Sequence, residues 1–128
     1  MSVGINREDI LRISGANPRL CMKCGKCSGA CPSFDEMEFH PHQFAYMVLD
    51  GDIAPLINSN AMYKCLSCFV CSERCPKEVH PSKLVEAIRL AVIRQQGKNY
   101  IKPDQIPGLL DDQIPQQAIV SAMRKYAK

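Results

Sequence analysis

The chain has 128 residues, 46% of them apolar but only 6% aromatic and none tryptophan, so a domain of ordinary size must rest on a small aliphatic core and on something besides. The formal charge of +3 counts eight cysteines as neutral. If those cysteines ligate metal as thiolates that excess is cancelled, so the lysines and arginines make no case for nucleic acid.

Met1 to Asn6 carry no basic region, and Glu8 and Asp9 interrupt any apolar run, so there is no signal-peptide pattern. The most apolar stretch, residues 84–93, contains Glu86 and Arg89 and is too short to span a bilayer. Both features point to the cytoplasm, where thiols stay reduced and clustered cysteines bind metal rather than pair as disulfides.

Residues 1–20 read as a leader segment. Asn6 is placed to cap a helix over residues 7–14, with Glu8 and Asp9 in its first turn and Gly15 as its stop. Asn17-Pro18 is a turn that delivers the chain to Cys21. Residues 33–64 read as a helical linker. Pro41 suits the first helical position, Phe44, Met47 and Val48 recur at helical spacing, and Asp50-Gly51 closes the turn. A second short helix is expected over residues 52–58.

Residues 81–96 form the clearest amphipathic helix. Its stripe is Leu84, Val85, Ile88, Ala91 and Val92, and Gly97 supplies the stop. Residues 98–115 are interrupted by Pro103, Pro107, Gly108, Asp111, Asp112 and Pro115, the pattern of an extended arm. A last helix is expected over residues 116–126. The division is therefore a leader at 1–20, a cysteine-rich domain at 21–97 and an arm at 98–128, the arm suited to lie on a partner.

The dominant feature is a repeat. Residues 21–32 read CMKCGKCSGACP and residues 65–76 read CLSCFVCSERCP, both C-x2-C-x2-C-x3-C-P at an offset of 44 residues. Three cysteines at i, i+3 and i+6 wrap three corners of an iron–sulfur cubane, and the fourth corner needs a ligand from elsewhere. In two-cluster ferredoxins the fourth cysteine of each run serves the other cluster. On that rule Cys21, Cys24, Cys27 and Cys75 hold one [4Fe–4S] cluster, while Cys65, Cys68, Cys71 and Cys31 hold the other. Pro32 and Pro76 redirect the chain after each run. Zinc is the alternative, but structural zinc sites use separated C-x2-C pairs and have no need of the third cysteine and proline.

Gly25, Ser28, Gly29 and Ala30 let backbone amides approach the sulfurs, whereas Leu66, Phe69 and Val70 are expected to exclude water from the second run. His40 and His80 precede prolines at helix starts and read as caps or surface residues. With all eight thiolate positions filled, neither they nor His42 is needed as a ligand. Lys23, Lys26, Lys64, Arg74 and Lys77 beside the cysteines either offset cluster charge or form a docking patch. Lys83, Arg89, Arg94 and Lys98 fall on or near the polar side of the long helix. No nucleophile–base pair, phosphate loop or paired acids are present, so no catalytic residue is assigned.

The phrases CMKCGKCSGACPS and CLSCFVCSERCPKEV, with the helical linker and the helix that follows, resemble the HdrC-type subunit of heterodisulfide reductase over roughly residues 15–97. The resemblance implies a mostly α fold, the α-helical ferredoxin domain wrapped around two [4Fe–4S] clusters. It also implies a non-catalytic role in a hetero-oligomeric oxidoreductase of anaerobic metabolism. There the chain would relay electrons between two partners, one flavin-bearing and electron-bifurcating (HdrA-like), the other reducing a disulfide or another substrate (HdrB-like). HdrB-like proteins are recognised by CCG motifs, and this chain has no adjacent cysteine pair. A free-standing dicluster ferredoxin and an iron–sulfur subunit feeding a membrane quinone site are the alternatives.

Overall fold

The computed structural model describes residues 4–94 and 102–124, and among them every regular element is helical and none is a strand. The chain separates into two units, Met1–Gln95 and Gln96–Lys128.

In the first unit, helix α1 spans Arg7–Ser14. The Asn6 side chain accepts from the Asp9 N–H at 2.8 Å, and Gly15 ends the helix at φ 62°, a left-handed conformation that glycine adopts without strain. A 3-10 turn at Pro18–Leu20 follows, capped by Asn17. Helix α2 covers Lys26–Gly29 and α3 covers Pro41–Asp50, the latter closed by Gly51 at φ 86°. Next come α4 (Ala54–Asn58), α5 (Ala61–Lys64), α6 (Val70–Glu73) and α7 (Pro81–Ile93).

Helix α7 is the axis of this unit, packing mainly on α1 and α3 and also on α4, α5 and α6. Its Leu84, Val85 and Ile88 are buried against Ile10 of α1, Phe44 and Val48 of α3, Leu56 of α4 and Met62 of α5. Each such aliphatic side chain contributes about 2 kcal/mol. Arg7 Nη1 donates to the Leu49 carbonyl at 3.1 Å, a guanidinium placed at the C-terminal end of α3.

Two boundaries and one additional short helix differ from the sequence reading. Helix α4 starts at Ala54 rather than at residue 52, because Pro55 is tolerated only in a first turn. Helix α5 has four residues, too few for any period to register. Helix α7 ends at Ile93 with Arg94 as cap, and the expected stop at Gly97 lies outside the described residues.

The second unit holds a 3-10 turn at Pro103–Gln105, then α8 (Ile106–Leu109) and α9 (Gln116–Met123). The Gln113 N–H donates to Asp111 Oδ1 at 2.9 Å in the turn between α8 and α9. Much of the segment expected to be extended is thus helical, since Pro103 and Pro107 fall in first turns, where proline costs no backbone bond. Residues 98–101 and 125–128 of the expected arm and last helix lie outside the described residues.

Candidate metal centre

The two cysteine runs fold alike. In the first, Lys23 (φ 55°) and Gly25 (φ 74°) are left-handed, and in the second their equivalents Ser67 (φ 53°) and Phe69 (φ 62°) are too. Each loop then enters a four-residue helix, α2 or α6, whose buried cysteine is the third of its run, Cys27 or Cys71. The repeat therefore extends from residue types to backbone dihedrals, even though a bulky residue stands at 69 where glycine stands at 25.

The fourth cysteines cross over. One cavity, of about 350 Å³, is lined by Cys21, Cys24 and Cys27 and by Cys75 from the other run. A second, of about 380 Å³, is lined by Cys65, Cys68 and Cys71 and by Cys31 from the first run. All eight thiols are free; Cys24 and Cys68 are exposed, Cys27 and Cys71 buried, and the other four half-buried. Helices α2 and α6 pack on each other, so the two buried cysteines lie on the side where the halves meet.

Burial pushes the Cys27, Cys31 and Cys71 thiols above the ordinary value of 9.0, and neighbouring cysteines push the same way. Hydrogen bonds oppose this. Ser28 offers Cys27 its hydroxyl and its N–H, Ser33 offers Cys31 its N–H, and Ser82 offers Cys71 both groups. The Val79 N–H donates to Cys75 Sγ at 3.4 Å, and the Met37 thioether lies 3.8 Å from Cys31 Sγ. The donors include Ser28 but also Ser33, Ser82 and Val79, which are outside the cysteine runs.

The second run is also tied down from behind. Arg89 Nε donates to the Met62 carbonyl at 3.0 Å, Nη1 to Ser67 Oγ at 3.2 Å and Nη2 to the Cys65 carbonyl at 2.9 Å. Its place on the polar side of α7 by periodicity concealed this. Leu66 and Phe69 correct another expectation: they line the second cavity but stand 67% and 40% exposed, forming a lip rather than a seal. Lys77 lines the first cavity, the Lys23 amine sits 5.5 Å above the Tyr46 ring, and Lys64 pairs with Glu36 at 4.0 Å. His40 and His80 occupy N-cap positions. The His40 N–H donates to Gln43 Oε1 at 2.7 Å and its ring stacks on Phe34, while His42 reaches the lining of the first cavity.

Among the described residues no group of three or more His, Cys, Asp or Glu side chains is gathered as a site for a metal ion. Four soft sulfur donors instead surround each cavity from two separate chain segments, a donor set that suits an iron–sulfur cubane.

Such a fold and such donor sets define a dicluster iron–sulfur protein, and the model of a 4Fe-4S dicluster domain matches residues 20–80. The chain is 33% identical over 88 residues to the C2 subunit of the H(2)/formate:CoB-CoM heterodisulfide,ferredoxin reductase of Methanococcus maripaludis, covering 69% of this chain and 46% of that one. It is 32% identical over 84 residues to the C subunit of the H(2):CoB-CoM heterodisulfide,ferredoxin reductase of Methanothermobacter thermautotrophicus, covering 66% and 44%. Against the C subunit of the ferredoxin:CoB-CoM heterodisulfide reductase of Methanosarcina mazei it is 30% identical over 98 residues, covering 74% and 56%. Over the matched residues the chain is a dicluster domain for two [4Fe–4S] clusters, and it is similar to the C-type subunits of heterodisulfide reductases. It spans about half the length of the curated relatives it matches.

Proposed function

We propose that Cys21, Cys24, Cys27 and Cys75 hold one cluster and Cys65, Cys68, Cys71 and Cys31 the other, and that the chain is an electron relay inside a multi-subunit oxidoreductase. The single observation that carries the ligand assignment is the crossed lining of the two cavities. When bound, each cluster supplies a one-electron site. The chain's own residues do the rest. Cys27 and Cys71 hold their sulfurs in the interior where α2 meets α6, and Cys24 and Cys68 present theirs at the surface, where partner proteins approach.

The relay runs between a flavin-bearing subunit on one side and a disulfide- or other substrate-reducing subunit on the other, with residues 98–128 as the partner-binding arm. The names of the relatives, C-type subunits of heterodisulfide reductases, support this reading. Among the described residues no helix is long and apolar enough to cross a membrane.

The test has two parts. Anaerobically purified chain is expected to carry about eight irons, falling to about four in Cys75→Ser and in Cys31→Ser, with a different electron paramagnetic resonance (EPR) signal lost in each. Crossing requires that Cys75→Ser lose the signal that Cys24→Ser loses, and Cys31→Ser the signal that Cys68→Ser loses. The reverse pairing, or the same signal lost in both, would make the crossed assignment wrong. Native chain from its source should co-elute with a flavoprotein and with a chain bearing CCG motifs; elution alone at the monomer's size would make it a free-standing ferredoxin.

A further inference from the structure

The repeat runs on beyond the cysteines. Each run is followed by a His-Pro helix start, His40-Pro41 at α3 and His80-Pro81 at α7. In each, the residue after the proline folds back onto the serine that follows the third cysteine. In the second half this is a pair of hydroxyls, Ser82 against Ser72. In the first half the place of Ser82 is taken by an imidazole: His42 Nδ1 lies 2.6 Å from Ser28 Oγ, and the His42 backbone N–H donates to the same oxygen at 3.2 Å. Both His42 and Ser82 line the cavity of their own half.

Ser28 is 3% exposed and its Oγ lies 3.9 Å from Cys27 Sγ. A hydroxyl has one proton to give. Cys27 as a ligand is a thiolate and only accepts, and a charge-assisted bond outcompetes a neutral one. The Ser28 proton is therefore directed to the sulfur, and the short contact to His42 is made by Nδ1–H donating to Ser28 Oγ. Donation into a hydroxyl strengthens the bond that the hydroxyl itself makes. The result is a chain of two bonds, from His42 to Ser28 to Cys27.

We propose that His42 is a positioning residue for the first cluster, acting through Ser28 on the Cys27 sulfur to raise that cluster's reduction potential, a control that the hydroxyl of Ser82 replaces with direct donation to Cys71 in the second half. Hydrogen bonds to ligand sulfur favour the more negative, reduced state, so removing them lowers the potential. The inference rests on the ligand assignment proposed above.

The test is an EPR-monitored redox titration of the full holo-chain, with the two signals assigned through Cys24→Ser and Cys68→Ser. Ser28→Ala is expected to shift the first cluster's potential downward and leave the second in place. His42→Phe is expected to shift it in the same direction by less, and His42→Asn, whose amide can donate from the same place, to restore it. In the Ser28→Ala background His42→Phe is expected to add nothing, the signature of a relay. Equal shifts from His42→Phe with and without Ser28, or a potential that His42→Phe leaves unmoved at full iron content, would overturn the proposal. If Ser28→Ala does not retain iron, the comparison of His42→Phe with His42→Asn still decides. Failure of the crossed ligand assignment looks different, since Cys75→Ser would then lose the signal that Cys68→Ser loses.

Discussion

Arg89 Nη2 donates to the carbonyl oxygen of Cys65 at 2.9 Å, so a residue of the long helix holds the first cysteine of the second run from behind. The same guanidinium satisfies the Met62 carbonyl and the Ser67 hydroxyl. Ser67 is left-handed at φ 53°, a conformation that needs outside support.

Replacing Arg89 with alanine leaves those acceptors short of partners, at about 1–3 kcal/mol for each that becomes buried and unsatisfied. Lysine should recover little, because a single ammonium cannot fork across three acceptors. The expected outcome is a holo-chain whose second cluster bleaches at lower temperature while the first is less affected. Equal bleaching of the two signals, followed by EPR, would show that Arg89 supports the whole unit instead.

Removal of iron is expected to cost the fold as well as the colour. The core of α1, α3 and α7 is mostly aliphatic, and the two cysteine loops contribute only the short helices α2 and α6, which cannot stand alone. Metal binding then acts as folding energy. Anaerobic chelation should produce a large loss of far-ultraviolet helical signal, recovered on reconstitution. Retention of the full signal in iron-free chain would show that the helices need no metal.

Acid is expected to strip the clusters. Ligation requires thiolates, so protons compete with iron, and the competition is strongest at Cys27, Cys31 and Cys71, whose thiols burial holds above 9.0. The iron-free fold has the opposite sign. A raised thiol value in the folded state adds stability below the ordinary value, and this is lost as pH climbs through the raised values. His42 works on the acid side. Burial, and then His40, hold it below 6.5, so stability falls as pH drops through that value and the unfolded chain takes the proton first. Iron release followed from pH 8 down to about pH 5 should accelerate as pH falls. Release independent of pH would count against protonation of the ligands as the route.

The elements most legible in the sequence are those with explicit punctuation. Asn6 and Gly15 bracket α1, Pro41 and Gly51 bracket α3, and Pro81 opens α7, so these boundaries follow from caps and fixed φ values. The cavities' cysteines were legible because their spacing repeats. What stayed hidden depends on reach rather than on pattern. Arg89 keeps helical phase with the polar face, yet its long side chain turns onto loop carbonyls. His42 and Ser28 meet only because α3 folds back over α2. Leu66 and Phe69 are apolar in sequence and exposed in the fold, since the left-handed turn at Phe69 presents the loop outward.

That use of left-handed backbone carries a last pair of predictions. Glu78 has φ 52°, is exposed, and holds its turn through a backbone N–H to the Cys75 carbonyl at 3.3 Å. A left-handed residue with a Cβ costs roughly 1–2 kcal/mol, partly offset in Glu78→Gly by the greater freedom of glycine in the unfolded chain. The variant should therefore gain about 0.5–1 kcal/mol, keeping the same backbone bond. Gly25 is the converse. At φ 74° a Cβ there meets no protein atom within 4 Å, so Gly25→Ala loses at least the conformational preference, about 1 kcal/mol. Urea titration of the anaerobic holo-chain should move its midpoint up for Glu78→Gly and down for Gly25→Ala. Movement in the same direction for both would mean that contacts at these two turns, and not their backbone angles, set their stability.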